Sequence, residues 1–463
     1  MNAFSCLIAG TISFAVVVGS VTRSLAGDGA TALRRPNIVF ILVDDMGYGD
    51  LGCYGGTDIQ TPNIDRLAGE GVRLTDFYAN APVCTPTRCA FITGRWQQRV
   101  GLEWAFGYTA QQQRRIDGRW VDEPDMHALG LPLDQVTIAD YLKQVGYATG
   151  AFGKWHLGYR DEYNPIHRGF DTYFGTLLGH ADYFRYRYFD GTYELRDGLR
   201  PVEAKGYLTD LLNEHAVQFI ADHAAEPFFL YLPHQAVHAP YQPPGRPDPA
   251  VSKEHMNDGS RRDYAAMLEK IDEGVGMIQA ELVRRGLAEN TLIVLSSDNG
   301  GAHFSDNAPL FNGKQSLWEG GIRVPCVMRW PARVEAGQTS RQPGITMDLT
   351  ATFLAAAGAK PRVDRPLDGI DLIPFLTGES PMNERTLYWR VNRAGRQQKA
   401  VRHGAWKYVI DGGYLEFLYD LDSDVSERRN MGIHQPQVLR DLRSRLAAWE
   451  AEMDASDRQI WVH

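Results

Sequence analysis

Four apolar runs of the sequence each end in side chains that can bind ions or transfer protons. The polar residues that follow these runs, in chain order, are Asp44 and Asp45, Lys154 and His156, His234 and His238, and Asp298 and Asn299. Continuous apolar runs are typical of strands that are buried on both faces of a parallel sheet. Ligands bind at the carboxyl ends of such strands. One acidic pair could simply cap a helix, but four polar clusters at one edge predict a shared site.

The oxygen-bearing members of this set indicate a metal site. Asp44, Asp45, Asp298 and Asn299 offer only oxygen ligands. Such ligands suit a hard cation, Ca²⁺ or Mg²⁺, and argue against zinc held by Cys and His. Three carboxylates close together would repel one another strongly unless a cation lay between them. We therefore expect a divalent ion here, Ca²⁺ or Mg²⁺.

A second chemical signal is the segment from Cys84 to Arg88. Pro86 fits the first turn of a helix, and a helix that begins here places Cys84 and Arg88 on one face. A helix N-terminus beside an arginine is a natural anion site. From the residues alone, Cys84 is either a nucleophilic thiolate or a buried free cysteine.

The elements that position these residues are read from the apolar periodicity. Short buried strands are predicted at 37–43, 148–152, 228–232 and 292–296. Apolar stripes predict helices at 136–145, where Gly146 follows as a C-cap glycine, and at 265–275. Strands that alternate with helices predict an α/β fold whose large, mostly parallel sheet is flanked by helices.

The alternation of strands and helices changes after residues 358–371. Pro361 and Pro366 lie within this stretch, and Pro374 follows it closely. Beyond it, antiparallel strands are predicted at 386–390, 399–402, 406–410 and 415–419, and a final helix at 437–453. We therefore predict a catalytic domain over 36–358 and a smaller C-terminal α+β domain over 372–463 that carries an antiparallel sheet.

Composition and charge limit the function classes. The 463-residue chain is 44% apolar and 23% charged, as ordinary soluble globular proteins are, and it is long enough for two domains. Its net charge of −9 disfavours a general nucleic-acid binder. Apart from Cys6 and Cys84, only Cys53, Cys89 and Cys326 are present. An odd number of cysteines cannot form a complete disulfide framework.

The first 26 residues look like an export signal. Residues 6–21 are uncharged and mostly apolar, and Ser24-Leu25-Ala26 forms a small-x-small cleavage pattern before Gly27. The alternative is a membrane anchor, but the run is shorter than the roughly 20 residues that a spanning helix needs. We expect residues 1–26 to be removed on export to the periplasm or to an extracellular or lumenal space, without stable membrane insertion.

Several segments together resemble one enzyme family. Cys84-Thr85-Pro86-Thr87-Arg88 is similar to the C-x-P-x-R signature of the sulfatases. The segments TPNIDRL at 61–67, GKWHLG at 153–158, NGK at 312–314 and WEGGIRVP at 318–325 are similar to other blocks of that family and follow in its order. The resemblance runs from about residue 36 to the last helix and is closest to the arylsulfatase and N-acetylgalactosamine-sulfatase branch.

The resemblance implies an alkaline-phosphatase-like fold and a set of residue roles. A dedicated maturation enzyme would oxidise Cys84 to formylglycine, and the modified residue would lie at a metal ion held by Asp44, Asp45, Asp298 and Asn299. The remaining implied catalytic residues are Arg88, which would stabilise the hydrated formylglycine, Lys154 and His156, which would contact it, and His238 and Lys314, which would grip the sulfate and the leaving group.

The expected reaction is hydrolysis of a sulfate ester, of a sulfated carbohydrate in nature and of aryl sulfates as artificial substrates. The segment 180–188 interleaves aromatic and basic residues, so it either contacts a sulfated sugar or forms a hairpin with cross-strand aromatic pairs. Candidate substrate contacts are His180, Asp182, Tyr183 and His303.

Two alternatives remain at this point. The first is a phosphonate monoester or phosphodiester hydrolase, since relatives of that kind resemble this fold and can share the cysteine signature. The second is a binding protein in which Cys84 is never modified.

Overall fold

The computed structural model of the protein describes residues 1, 35–106, 113–116, 119–122, 129–247, 250, 252–393, 396–455 and 461–462. Residues 35–463 form one compact unit. The predicted export signal at 1–26 lies outside the described residues apart from Met1. Among the described residues, no helix combines the length and the apolar character that crossing a membrane requires.

The elements of the described residues are as follows. The strands are β1 Asn37–Val43, β2 Val72–Leu74, β3 Phe77–Tyr78, β4 Gln113–Ile116, β5 Arg119–Asp122, β6 Ala148–Lys154, β7 Thr172–Thr176, β8 Leu195–Asp197, β9 Arg200–Pro201, β10 Phe228–Pro233, β11 Thr291–Ser297, β12 Cys326–Arg329, β13 Gln338–Ser340, β14 Gly344–Ile345, β15 Thr386–Arg393, β16 Arg396–His403, β17 Trp406–Asp411, β18 Leu415–Asp420 and β19 Trp461–Val462. The α-helices are α1 Pro62–Gly69, α2 Cys84–Thr93, α3 Gln97–Val100, α4 Ile138–Gln144, α5 Leu208–Asp222, α6 Arg261–Arg284, α7 Glu319–Ile322, α8 Thr346–Ala357, α9 Ile373–Leu376 and α10 Pro436–Asp454.

A mixed sheet of ten strands forms the centre of the unit, in the order β13-β2-β12-β11-β1-β10-β6-β7-β8-β9. Its five central strands, β11, β1, β10, β6 and β7, run parallel. Antiparallel pairs extend the sheet on both sides. The predicted α/β fold with a large helix-flanked sheet is confirmed.

The buried faces of β1 explain its unbroken apolar sequence. On one face Phe40 packs with Phe91 of α2 and Phe353 of α8. On the other face Ile41 belongs to a cluster with Ile271 of α6. A strand covered by helices on both faces has no solvent side and therefore no polar alternation.

The predicted core elements are present. The ends of the four predicted strands change little, whereas the helix predicted at 265–275 is part of the much longer α6, Arg261–Arg284. The strands begin or end up to two residues beyond the predicted 37–43, 148–152, 228–232 and 292–296. Helix α4 begins two residues later than predicted because Thr137 caps it: the Thr137 hydroxyl accepts a hydrogen bond from the Asp140 amide, and the Asp140 carboxylate accepts one from the Thr137 amide. The edge strands β2, β8, β12 and β13 were not predicted, since three or four residues carry little periodicity.

The predicted C-terminal antiparallel sheet and final helix are also present, as β15-β16-β17-β18 and α10. This sheet packs on the central unit through a third apolar cluster that includes Leu317, Trp318 and Trp389. The indole N–H of Trp389 donates to the carbonyl of Ala79, 2.8 Å away. The sheet therefore contacts chain segments just before residue 84 and just after residue 314.

Candidate active site

Adjacent strands deliver the chemically active residues to one edge of the sheet. Strands β11, β1, β10 and β6 are neighbours. Asp298 follows β11, Asp44 follows β1, His238 lies beyond β10, and Lys154 is the last residue of β6. The parallel direction of these strands places all four residues at the same edge.

Arg88 connects this edge to helix α2. Its guanidinium is fully buried and donates to Asp298 Oδ2 from Nε at 3.0 Å and from Nη2 at 2.8 Å. The same Nη2 lies 3.3 Å from Asp44 Oδ2, and Nη1 donates to the carbonyl of Lys154 at 2.7 Å. Although burial lowers it, the carboxylates of Asp298 and Asp44 raise the pKa of Arg88 above its ordinary value, so this charge is permanent.

Two lysines complete the charge balance of the site. Lys154 Nζ forms a buried ion pair with Asp44, and Lys314 Nζ lies 2.7 Å from Asp45 Oδ1. With Arg88, these lysines set three cations against the three carboxylates. Side-chain cations therefore offset part of the repulsion among these carboxylates, which from the sequence alone was expected to need a metal ion.

Residue 84 lies between the carboxylates and Lys314. In the unmodified cysteine, Sγ is 3.5 Å from Asp44 Oδ1 and 3.8 Å from Lys314 Nζ. It occupies the first turn of α2, whose N-cap residue Val83 supplies no side-chain acceptor, so amides of that turn are left for another acceptor. Burial, followed by the Asp44 carboxylate, raises the pKa of the Cys84 thiol to about 12.

The two ring nitrogens of His156 differ in their hydrogen bonding: Nε2 has a partner and Nδ1 has none. Its Nε2 lies 2.8 Å from the carbonyl oxygen of Phe106, an acceptor, so this nitrogen carries the proton. Its buried Nδ1 has no hydrogen-bond partner. Burial, and then the charge of Lys154, hold the pKa of His156 well below its ordinary value. A neutral ring leaves Nδ1 as a proton acceptor.

His238 is oriented by its neighbour in the chain. Its Nδ1 donates to the carbonyl of Ala239 at 2.6 Å, and its Nε2 lies 3.7 Å from Asp45 Oδ2. His180 lies parallel to it at 6.1 Å between ring centroids and stacks on Tyr188 at 4.1 Å. Nε2 of His238 is therefore the nitrogen directed at the site.

An open cavity of about 550 Å³ leads to these groups. Asp45, His238 and Lys314 line its inner end. The other lining residues, most of them polar or glycine, are Ala239, Tyr241, Met256, Asn257, Gly301, Ala302, His303, Asn307, Asn312, Gly313 and Gln315. A cavity of this size accommodates a small organic ligand, here with its reactive end at a lysine, an imidazole and a carboxylate.

Comparison with known proteins gives a consistent result. The sulfatase family model matches residues 36–359, and a model described as N-sulphoglucosamine sulphohydrolase, C-terminal, matches residues 309–452. N-acetylgalactosamine-6-sulfatase of Rattus norvegicus is 36% identical over 417 residues, which cover 85% of this chain and 75% of that protein. Arylsulfatase G of the same organism is 34% identical, with coverage of 88% and 81%.

The chain belongs to the sulfatase family. The family relation that the sequence motifs indicated is thereby confirmed, and the protein is a sulfatase enzyme. Among solved structures, that of Ps i-CgsB superposes with a TM-score of 0.80 and 33% identity, and covers 90% of this chain and 93% of that one. The same protein has also been solved in complex with k-i-k-neocarrahexaose.

Sulfatases use a metal site, and the residues of this one fit a divalent ion. Ligand atoms of Asp44, Asp45, Cys84 and His238 lie within 4.8 Å of one another. Asn299 donates through Nδ2 to Asp45 at 2.7 Å, whereas its buried Oδ1 has no hydrogen-bond partner. A buried carbonyl oxygen without a donor is costly, and a cation beside it would satisfy it.

The candidate substrate contacts divide into two groups. His303 is exposed and lines the cavity, and the buried His180 stacks on Tyr188. By contrast, Asp182 accepts hydrogen bonds from the amides of the next loop residues, and the Tyr183 hydroxyl donates to the carbonyl of His238 at 2.9 Å. The structure gives Asp182 and Tyr183 contacts behind the site, and their roles as substrate contacts stay predictions.

Two contributors to the site were not found in the sequence. The carbonyl of Phe106 orients His156, and the amide of Phe106 is in turn fixed by the Thr85 hydroxyl at 3.1 Å. Main-chain groups leave no compositional signal, so only the fold reveals them. Gln315, whose left-handed φ of 69° turns the chain beyond Lys314, follows directly on the NGK segment and could have been suspected from it.

The unpartnered oxygen of Asn299 predicts an ion-dependent stability. In protein treated with a chelator, a divalent ion that Asn299 binds should stabilise the fold by about 2.7 kcal/mol at 100 times its Kd, measured as a rise in Tm. Asn299→Ala should reduce that rise. Asn213→Ala is the matched control, because Asn213 is an equally buried asparagine on α5 whose Oδ1 also lacks a partner; it should retain the full rise. An equal rise in Asn299→Ala and wild type would contradict the assignment.

Proposed function

We propose that this sulfatase hydrolyses sulfate esters of a sulfated carbohydrate, with formylglycine made from Cys84 as its nucleophile and Ca²⁺ as its bound cation. The observation that carries the proposal is the position of residue 84 at the start of α2, 3.5 Å from a carboxylate of the predicted metal site and 3.8 Å from Lys314. A nucleophile in this place faces an ion on one side and a sulfate-binding cation on the other.

The ion and the formylglycine would each supply defined chemistry. Asp44, Asp45, Asp298 and Asn299 would hold the ion with residue 84, and their hard oxygen ligands suit Ca²⁺; bound there, it would supply Lewis-acid chemistry. Formylglycine, when hydrated, supplies one hydroxyl to attack sulfur and a second whose deprotonation releases sulfate. An ordinary serine ester lacks that second route.

The residues of the chain supply the rest. Arg88 and Lys154 place positive charge near residue 84 and lower the cost of negative charge there. The free Nδ1 of His156 is suited to accept a proton when sulfate is released. Nζ of Lys314 and Nε2 of His238 lie at the inner end of the cavity, where they are suited to bind the sulfate. Nζ of Lys314 can give a proton to the leaving oxygen, and Nε2 of His238 can do so when its ring is in the imidazolium form.

The carbohydrate part of the proposal rests on relatives and on the cavity. N-acetylgalactosamine-6-sulfatase is 36% identical over most of the chain, and Ps i-CgsB binds the carbohydrate k-i-k-neocarrahexaose. The 550 Å³ cavity offers amide, imidazole and phenol groups at its wall, which suit sugar hydroxyls. The proposal also includes export of the protein, removal of residues 1–26, and a formylglycine-generating maturation enzyme as a partner.

The test of the function is a comparison of substrates. An aryl sulfate should be hydrolysed much faster than an aryl phosphodiester or phosphonate monoester by the same preparation. Mass spectrometry of the peptide that contains residue 84 should show the thiol-to-aldehyde mass loss, and Cys84→Ala should abolish turnover while Tm stays close to that of wild type. Faster phosphodiester turnover would establish the alternative hydrolase, and full activity with only unmodified cysteine would refute the nucleophile.

The proposed acid and base should differ in their dependence on the leaving group. A sugar alkoxide needs a proton from the enzyme, whereas a nitrophenolate hardly does. His238→Ala should therefore lose more rate on a sugar sulfate than on nitrophenyl sulfate. His156→Ala should slow sulfate release equally for both substrates and leave sulfate on residue 84, visible as added mass. Equal losses for His238→Ala on both substrates, with chemistry rate-limiting, would refute His238 as the acid.

A further inference from the structure

The segment 311–320, here called the lysine loop, carries Lys314 into the cavity. Around Lys314 it is held by main-chain bonds: the Lys314 amide donates to Gly301 at 3.1 Å and the Gln315 amide to Pro82 at 2.8 Å. The loop is also closed on itself, since the Gly320 amide donates to the Phe311 carbonyl at 2.9 Å. A Cβ at Gly320 would lie 2.2 Å from the Asn312 carbonyl oxygen, so the two ends of the loop pack closely against each other.

The far end of the lysine loop is held by the C-terminal part of the chain. The Leu317 amide donates to Oε1 of Gln398 on β16 at 3.0 Å. The Glu319 amide donates to Oε2 of Glu427 at 2.6 Å. Both acceptors are side chains, and both belong to the part of the chain that the C-terminal family model covers.

A buried ion group reinforces this attachment. Nζ of Lys407, on β17, lies 2.8 Å from Oε1 of Glu319 and 2.9 Å from Oε1 of Glu427, the latter without hydrogen-bond alignment. The three side chains have no solvent exposure. Burying such a group is expensive and contributes little net stability, so its value lies in fixing a geometry.

The other contacts of Glu319 make that geometry rigid. Its Oε2 accepts from the Tyr78 hydroxyl at 2.6 Å and from Nη1 of Arg323 at 3.2 Å. Although burial raises it, Lys407 and Arg323 hold the pKa of Glu319 below its ordinary value. Burial, only partly offset by Lys407, raises the pKa of Glu427 above its ordinary value. Glu427 contributes the acceptor oxygen for the Glu319 amide.

We propose that Glu427, Lys407 and Gln398 are positioning residues for Lys314: the C-terminal sheet fixes the lysine loop and thereby sets where Lys314 Nζ meets the sulfate ester. This rests on the proposed contact of Lys314 with the substrate. The alternative is that the group only stabilises the packing of the C-terminal sheet, with no effect on Lys314 in the folded enzyme.

The experiment compares two variants of one residue. Glu427→Ala removes the acceptor of the Glu319 amide, whereas Glu427→Gln keeps an acceptor oxygen for that amide, removes the charge and places an amide NH₂ beside Lys407. Each rate is divided by the concentration of protein that is both folded and formylglycine-bearing. On this basis Glu427→Ala should lower kcat on aryl sulfates roughly ten- to hundredfold, the scale expected when a catalytic group is displaced. The loss of kcat should be larger for aryl sulfates with poorer leaving groups, and Lys314→Ala should show the same dependence on the leaving group. Glu427→Gln should stay within about twofold of wild type, since no reacting group moves.

Two further variants distinguish a displacement of Lys314 from a general loss of protein stability. Leu446→Ala truncates a buried residue of α10 in the same apolar cluster and should lower Tm without the change in leaving-group dependence. Gln398→Ala removes the other acceptor and should repeat the effect of Glu427→Ala; it replaces that variant if Glu427→Ala fails to fold.

The outcomes are distinct. The proposal would be overturned if Glu427→Ala and Gln398→Ala were both as active as Leu446→Ala. It would also be overturned if Glu427→Gln and Glu427→Ala lost the same amount of activity. If Lys314→Ala itself keeps full turnover, the role of Lys314 in the proposed function fails instead. If wild type does not turn over aryl sulfates, the proposed function fails as a whole.

Discussion

The structure depends on one electrostatic constraint: three carboxylates, those of Asp44, Asp45 and Asp298, are buried together at the edge of a parallel sheet. Carboxylates so placed repel one another, and burial removes the water that would screen them. Arg88, Lys154 and Lys314 lie against them at ion-pair distances. Removal of any one cation would leave buried negative charge uncompensated, which typically costs 3–5 kcal/mol.

This constraint explains how remote segments are arranged. Helix α2 must begin beside β1 and β11, because Arg88 on its first turns pairs with Asp298 after β11 and with Asp44 after β1. The same placement brings residue 84 to the ion site. The proposed reactive position and the charges beside it are therefore held by one set of contacts.

Charge balance also accounts for the position of Lys314 at the site. Lys314 lies on a loop without regular structure, and the loop reaches Asp45 because Gly301 holds it at Lys314 and the side chains of Gln398 and Glu427 hold its far end. The site is thus assembled from the carboxyl edge of the central sheet, the start of α2 and a loop attached to the second sheet. Each contributes a charge that the others need.

The sequence by itself determined the chemistry and the central elements. The apolar runs that became β1, β6, β10 and β11 could be read directly, since strands buried on both faces leave a strong local pattern, and the polar residues after them indicated the shared edge. What only the tertiary structure decided is which groups meet. Arg88 pairs with Asp298, which is 210 positions away in the chain, and Lys407 pairs with Glu319, which is 88 positions away. The carbonyl of Phe106 orients His156. Short strands complete the sheet on both sides. Such contacts depend on distances between segments remote in the chain, and a local pattern of residue types carries no information about those distances.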